Sequence, residues 1–181
     1  MLNSAGREVL IKADMQAIPT YSMSCFSLSK TTCKKMTPSM ANFWWGGDGD
    51  NQRMHWRKWE EFAQPKKAGG MGFREIHLFN LAMLGKQGWR LLTNPSSLCA
   101  RVLAGKYFHN MEFMNAKKKK NSSHVWQAIL KGRAALHLGL IKRIRDGKST
   151  NIWEDKWIPT IPRGKPKERR YNCLKCIRSS E

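Results

Sequence analysis

Side chains able to do chemistry are unevenly supplied in this sequence. Metal-assisted phosphoryl transfer needs two or more carboxylates converging on a divalent ion. The chain has 13 Asp and Glu among 181 residues, with no Asp-Asp pair and no well-spaced trio. Asp48-Gly49-Asp50-Asn51 opens like a calcium loop, but its sixth position is Arg53, where glycine is needed, and its twelfth is Trp59, where a bidentate glutamate is needed. A polar turn is the better reading. His55, His77, His109, His124 and His137 show neither H-x3-H nor H-E-x-x-H spacing, and no serine sits in a G-x-S-x-G elbow. Cys173 and Cys176 have the spacing of one edge of a zinc knuckle, yet no second Cys or His pair follows them. The sequence therefore nominates no catalytic residue, no metal ligands and no cofactor of its own.

Cationic side chains are the opposite case. Lys and Arg number 33, giving a formal charge of +20, and a surplus of that size favours a polyanionic partner. Residues 1–60 hold 8 basic and 5 acidic side chains, residues 61–138 hold 13 and 3, and residues 139–181 hold 12 and 5. Lys117, Lys118, Lys119 and Lys120, followed by Asn121-Ser122-Ser123, form a loop that by itself is only a solvated charge run. In a chain this basic, with Trp126 nearby, it is also a candidate for phosphate contact. Lys142, Arg143, Arg145 and Lys148 form a second candidate patch. The polyanionic partner is nucleic acid or, peripherally, an anionic membrane surface; an RNA or DNA duplex would be held through its phosphates, without base readout, because a flexible lysine is a point charge.

The elements that must carry these side chains read as mainly α. Ser4 can cap a helix over residues 5–17 with Val9, Leu10, Ala13 and Ala17 on one stripe, ended by Pro19. Asp14 is read as a solvent-facing carboxylate paired with Lys12. Cys33, Met36, Met40, Phe43 and Trp44 share a helix face that Pro38 interrupts, so two short helices are possible there. Residues 54–59 suggest a short strand, and Gly69-Gly70-Met71-Gly72 a tight turn requiring positive φ. Residues 75–92 give the strongest helical pattern, with Ile76, Phe79 and Met83 on one line and Leu78, Leu81, Gly85, Trp89 and Leu92 on the next. Asn94-Pro95 restarts a helix through Tyr107, and another runs from Val125 to Gly139. Asp146-Gly147 between Ile141, Ile144 and Ile152, Trp153 predicts a β-hairpin, and the segment from Thr160 to Glu181 a flexible basic tail. Trp44, Trp45, Trp56 and Trp59 are expected to form a tryptophan-rich corner packed against the 75–92 helix, with Trp89 and Trp153 as further structural rings. Four regions result: 1–47, 48–139, 140–159 and 160–181.

Cys25, Cys33, Cys99, Cys173 and Cys176 are odd in number and irregularly spaced, which argues for free thiols in a reducing compartment. No apolar run approaches the roughly 20 residues that span a bilayer, and no signal peptide is evident, so secretion is not expected.

Taken in order, the motifs resemble one family. Ala5-Gly6-Arg7-Glu8-Val9-Leu10-Ile11-Lys12, Gln16-Ala17-Ile18-Pro19-Thr20-Tyr21, Phe43-Trp44-Trp45-Gly46, Gly69-Gly70-Met71-Gly72-Phe73-Arg74, Asn80 to Leu92, Arg101 to Phe108, and Ile152-Trp153-Glu154-Asp155 with Trp157-Ile158-Pro159 are similar to the reverse transcriptases of plant LINE-type (non-LTR) retrotransposons, in the region after the polymerase palm. They also resemble the short uncharacterised plant mitochondrial proteins related to that region. The resemblance implies a helical thumb and connector that grips the template-primer duplex. The parent enzyme's Mg²⁺ is held by palm aspartates in an aromatic-x-Asp-Asp motif, which has no counterpart here, so no catalytic residue carries over. The expected function is that of a non-catalytic fragment of an RNA-directed DNA polymerase with residual sequence-independent nucleic-acid binding. The alternatives are a stand-alone nuclear or mitochondrial protein with a binding role, or a product with no selected function.

Overall fold

The computed structural model describes residues 2–46, 54–109, 111–144, 151–153, 155–159, 161, 164 and 166. The chain divides into two units, Met1–Leu138 and Gly139–Glu181. Helices fill the first: α1 (Ser4–Leu10), a π-helical turn (Ile11–Met15), α2 (Thr20–Cys25), α3 (Lys30–Trp45), α4 (Trp59–Phe62), a 3₁₀ turn (Lys66–Ala68), α5 (Ile76–Thr93), α6 (Leu98–Tyr107), a second 3₁₀ turn (Phe113–Asn115) and α7 (His124–Gly139). The fold is mainly α, and no strand occurs among the described residues.

Two apolar cores lie in this unit, and α5 serves both. Near its start, Ile76 joins Ile11, Met23, Cys33, Met40 and Phe73, with Trp44, Trp59 and Phe62 packed against them. Near its end, Leu91 joins Ala100, Tyr107, Phe113, Ala116, Trp126 and Ile129. The buried face of α5 is Ile76, Asn80, Leu84, Gly85, Gly88 and Leu91, whereas Leu78 is 64% and Trp89 48% exposed. The apolar lines expected there are therefore only partly inside. Asn80 occupies a core position because the neighbouring backbone needs an amide partner there, and Gly85 and Gly88 because the Gly132 backbone approaches the first and the Leu136 and Phe113 side chains the second. Asn80 Oδ1 accepts from Leu28 N at 2.9 Å, and Nδ2 donates to Met23 O at 2.8 Å and Phe26 O at 2.9 Å. One buried amide thus satisfies three backbone groups of the α2–α3 connection. A Cβ on Gly132 of α7 would lie 2.5 Å from Gly85 N and 2.5 Å from Leu84 C, so α5 and α7 touch backbone to backbone at that crossing.

The N-terminal helix departs from its expected stripe. Its cap is Asn3, whose side chain accepts from Gly6 N, rather than Ser4. After Leu10 the chain widens into the π turn, with Gln16 N donating to Ile11 O at 2.9 Å. That extra residue per turn shifts the register. Ile11 and Gln16 become buried while Val9, Ala13 and Ala17 face solvent. Gln16 then pairs with the backbone of Arg74, accepting from its N at 3.3 Å and donating to its O at 3.5 Å. Lys12 bonds Glu8 at 2.7 Å and Met71 O at 2.8 Å, so the expected pairing with Asp14 is replaced.

Pro38 does not divide α3, which is one helix capped by Ser29 and closed by Gly46 at φ 76°. Pro38 is exposed, so the carbonyl it leaves without an N–H donor can be hydrated. Arg7 Nη1 donates to Trp44 O at 3.0 Å, placing a cation at the carbonyl end of that helix.

The tryptophan-rich corner is assembled around phenylalanines. Trp59 stacks on Phe73 at 5.0 Å, and Trp44 meets Phe73 edge-on at 5.5 Å and Phe62 at 5.5 Å. Trp45 contacts Phe62 at 5.8 Å and His55 at 6.3 Å. Gly69 and Gly72 adopt φ 83° and 69°, which turns the chain so that Phe73 enters the core. Trp56 is 76% exposed and lies outside the corner. Residues 54–58 are irregular; Met54 and Trp56 face solvent, so the short strand expected there has no apolar side to bury.

In the second unit, Lys142 N donates to Lys156 O at 2.6 Å, and Trp157 N and Ile158 N donate to Gly164 O. The expected hairpin is not supported, since the described residues of 140–159 form no strand. Ile141, Ile144, Ile152 and Trp153 are 42–56% exposed, and a two-stranded ribbon with no buried face is marginal in water. Its turn, Asp146-Gly147, and the tail from 167 lie outside the described residues.

Candidate nucleic-acid interface

The lysine run sits on a loop whose two ends are fastened to the second core. Upstream, Phe113 and Ala116 are buried. Arg133, on α7, directs Nη1 at Phe113 O (3.2 Å), Met114 O (3.0 Å) and Ala116 O (2.6 Å). Downstream, Ser122 Oγ accepts from Lys119 N at 3.0 Å and donates to Lys119 O at 2.7 Å, closing a turn across the lysines. Gln127 Nε2 donates to Ser122 O at 2.8 Å. Ser123 N donates to Tyr107 Oη at 3.1 Å, and Ser123 Oγ accepts from Trp126 N in the first turn of α7. The backbone of the loop is therefore specified, while its cationic side chains are not.

Lys117, Lys118, Lys119 and Lys120 are all exposed. None is in an ion pair among the described residues. Lys119 Nζ reaches Lys106 O at 3.4 Å, and Lys106 itself is exposed, with its ammonium 5.4 Å from the Tyr107 ring centre. Arg101, one and a half turns earlier on α6, is also exposed. The structure thus joins Lys106 to the lysine loop, which sequence separation had hidden. The Tyr107 hydroxyl is held below its ordinary pKa by the hydrogen bonds from Ser123, helped by the Lys106 charge.

Trp126 is not a platform for bases. It is 0% exposed and stacked between Tyr107 at 4.8 Å and Phe108 at 5.5 Å, so its role beside the lysines is to hold the core on which the loop rests. Sequence reading also passed over Arg133, because a lone arginine on an amphipathic helix reads as a surface charge.

The second candidate patch is less free. Lys142 Nζ lies 2.6 Å from Asp155 Oδ2, so its charge is matched within its own unit. Arg143 is exposed. Arg145 and Lys148 lie outside the described residues, as do Cys173 and Cys176.

A cavity of about 490 Å³ between α3 and the start of α5 is lined by Lys30, Cys33, Lys34, Thr37, Pro38, Glu60, Glu75 and His77. Its chemistry is limited. Burial, and then the negative charge of Glu75, push the Cys33 thiol up, which keeps it in the poorly nucleophilic protonated form. The Glu75 carboxylate accepts from His77 N and Leu78 N as the cap of α5. Among the described residues, no three His, Cys, Asp or Glu side chains are grouped to hold a metal ion. No described helix is long and apolar enough to cross a membrane.

Comparison with known proteins adds the family. Over 143 residues, 78% of this chain, the sequence is 39% identical to the uncharacterized mitochondrial protein AtMg00310 of Arabidopsis thaliana and covers 93% of that protein. The chain belongs to the family of that mitochondrial protein. It is also 33% identical over 165 residues to "Putative ribonuclease H protein At1g65750" of the same plant, covering 89% of this chain but only 26% of the relative. No family model and no solved structure matches. The stretches quoted above for the resemblance include the buried amides Gln16 and Asn80 and the Gly69–Gly72 turn. In this structure those motif positions are occupied by groups that hold the helices together.

Proposed function

We propose that this chain is a retrotransposon-derived helical region, equivalent to the thumb and connector that follow the palm in plant LINE-type reverse transcriptases. It performs no polymerisation by itself and binds nucleic-acid duplex through phosphates, without regard to base sequence. The observation that carries the reading is the 117–120 loop, where four exposed lysines, without ion pairs among the described residues, stand on a backbone fixed at both ends. The longer relative named for ribonuclease H supports a nucleic-acid setting.

The test is a salt titration of binding to two duplexes of unrelated sequence. Each phosphate contact contributes about −0.9 to the slope of log K against log salt, so changing all four lysines to glutamine should flatten the slope by up to roughly 4. An unchanged slope would remove the loop from the interface. Strong preference for one duplex would defeat the sequence-independent reading.

A second reading has its own support: AtMg00310 is matched over 93% of its length, so a region of this extent occurs there as a separate chain. On that reading the same surface serves a stand-alone mitochondrial protein. Finding the protein by cell fractionation in mitochondria, bound to nucleic acid and without a polymerase partner, would favour it.

A further inference from the structure

Arg133 gathers three backbone carbonyl groups with one side chain. A single nitrogen, Nη1, serves Phe113 O, Met114 O and Ala116 O at 3.2, 3.0 and 2.6 Å. Phe113 and Ala116 are 3% and 0% exposed, and Arg133 itself is only partly exposed. Its charge is turned inward onto backbone dipoles, away from the solvent that the four lysines face. With three carbonyl oxygens directed at α7, the chain leaves Ala116 in an extended conformation, φ −61° and ψ 136°, straight into Lys117. Ser122 fixes the far end of the same segment through Lys119 N and O.

We infer that Arg133 is the positioning residue of the lysine loop: it sets the backbone from which the four ammonium groups reach a phosphate chain, and it does not itself contact nucleic acid. The inference rests on the nucleic-acid reading above. A loop already ordered loses less freedom on binding, so its affinity exceeds that of the same charges on a slack chain. The number of phosphates neutralised, however, depends on the lysines alone.

These two dependences can be separated. In the salt titration with the full chain and a duplex of arbitrary sequence, Arg133→Met should weaken binding by about tenfold at every salt concentration, with the slope unchanged. A direct phosphate contact by Arg133 would instead flatten the slope by about 0.9. Amide exchange at Lys119, whose N–H is held by Ser122, should accelerate in the variant. If Arg133→Met does not fold, Arg133→Lys keeps the cation with a shorter reach and should give a smaller parallel drop. A parallel drop with faster exchange supports the inference. A flattened slope, or unchanged affinity in a folded variant, overturns it. Loss of the lysine effect in the quadruple glutamine variant would be a different failure, that of the nucleic-acid reading itself.

Discussion

At the scale of single residues, charge is used here in two ways. Most of the basic side chains among the described residues are left to solvent, but a few are committed to holding the chain. Glu8 is the clearest acidic counterpart: Lys12 Nζ lies at 2.7 Å and Lys66 Nζ at 3.1 Å from its Oε1. The hydrogen bond from Lys12, then that from Lys66, holds the Glu8 carboxyl below its ordinary pKa. Because the folded state favours the ionised form, the resulting stability is fully present above the ordinary carboxylate pKa and is lost as pH falls through the lowered native value. Glu8→Gln should therefore lower the melting temperature near neutrality, and the gap from the parent should close in acid. A gap that stayed constant down the acid limb would show that the two ion pairs contribute nothing through ionisation. Trp126 illustrates the opposite limit. It lies close to the lysines in sequence, and its burial between Tyr107 and Phe108 makes it core.

At the scale of elements, the crossing of α5 and α7 decides the shape of the second core. An alanine at Gly132 would press on the backbone of α5 at 2.5 Å, where no side chain can swing aside. Overpacking of this kind costs about 1–3 kcal/mol, which exceeds the roughly 1 kcal/mol that alanine gains over glycine in a helix. Gly132→Ala should lower the melting temperature. A Cβ at Gly105 of α6 would meet nothing within 4 Å, so Gly105→Ala should raise it by the propensity term alone. Equal responses from the two variants, measured by thermal unfolding, would show that the crossing is not tight. The sequence suggested helices at nearly all these places, since apolar spacing and caps are local signals. It did not show the π turn after Leu10, which moved the buried positions from Val9 and Ala13 to Ile11 and Gln16. One extra residue in a turn leaves no mark in composition.

At the scale of the whole molecule, the net charge of +20 sets the background for everything else. Like charges repel in the compact state, and salt screens that repulsion within a Debye length of about 10 Å at 0.1 M. The melting temperature should rise with added sodium chloride, and a short polyanionic duplex should raise it further at low salt, as any partner that binds only the folded state must. If salt lowered the melting temperature, the few ion pairs around Glu8 and Asp155 would outweigh the general repulsion. Such a result would also weaken the case for a phosphate surface.

The sequence by itself determined the mainly helical fold, the basic character and the lysine run, because these follow from local periodicity and from counting charges. The 39% identity to AtMg00310 agrees with the plant mitochondrial resemblance carried by the same ordered motifs. Only the tertiary structure decided which residues are inside: the amides Asn80 and Gln16 are buried while the apolar Trp56 and Leu78 are not. It also decided that Arg133, 13 residues beyond Lys120, the end of the lysine run, grips the backbone that leads into the loop. Such choices depend on where distant backbone groups need a partner, and a backbone carbonyl has the same sequence signature everywhere.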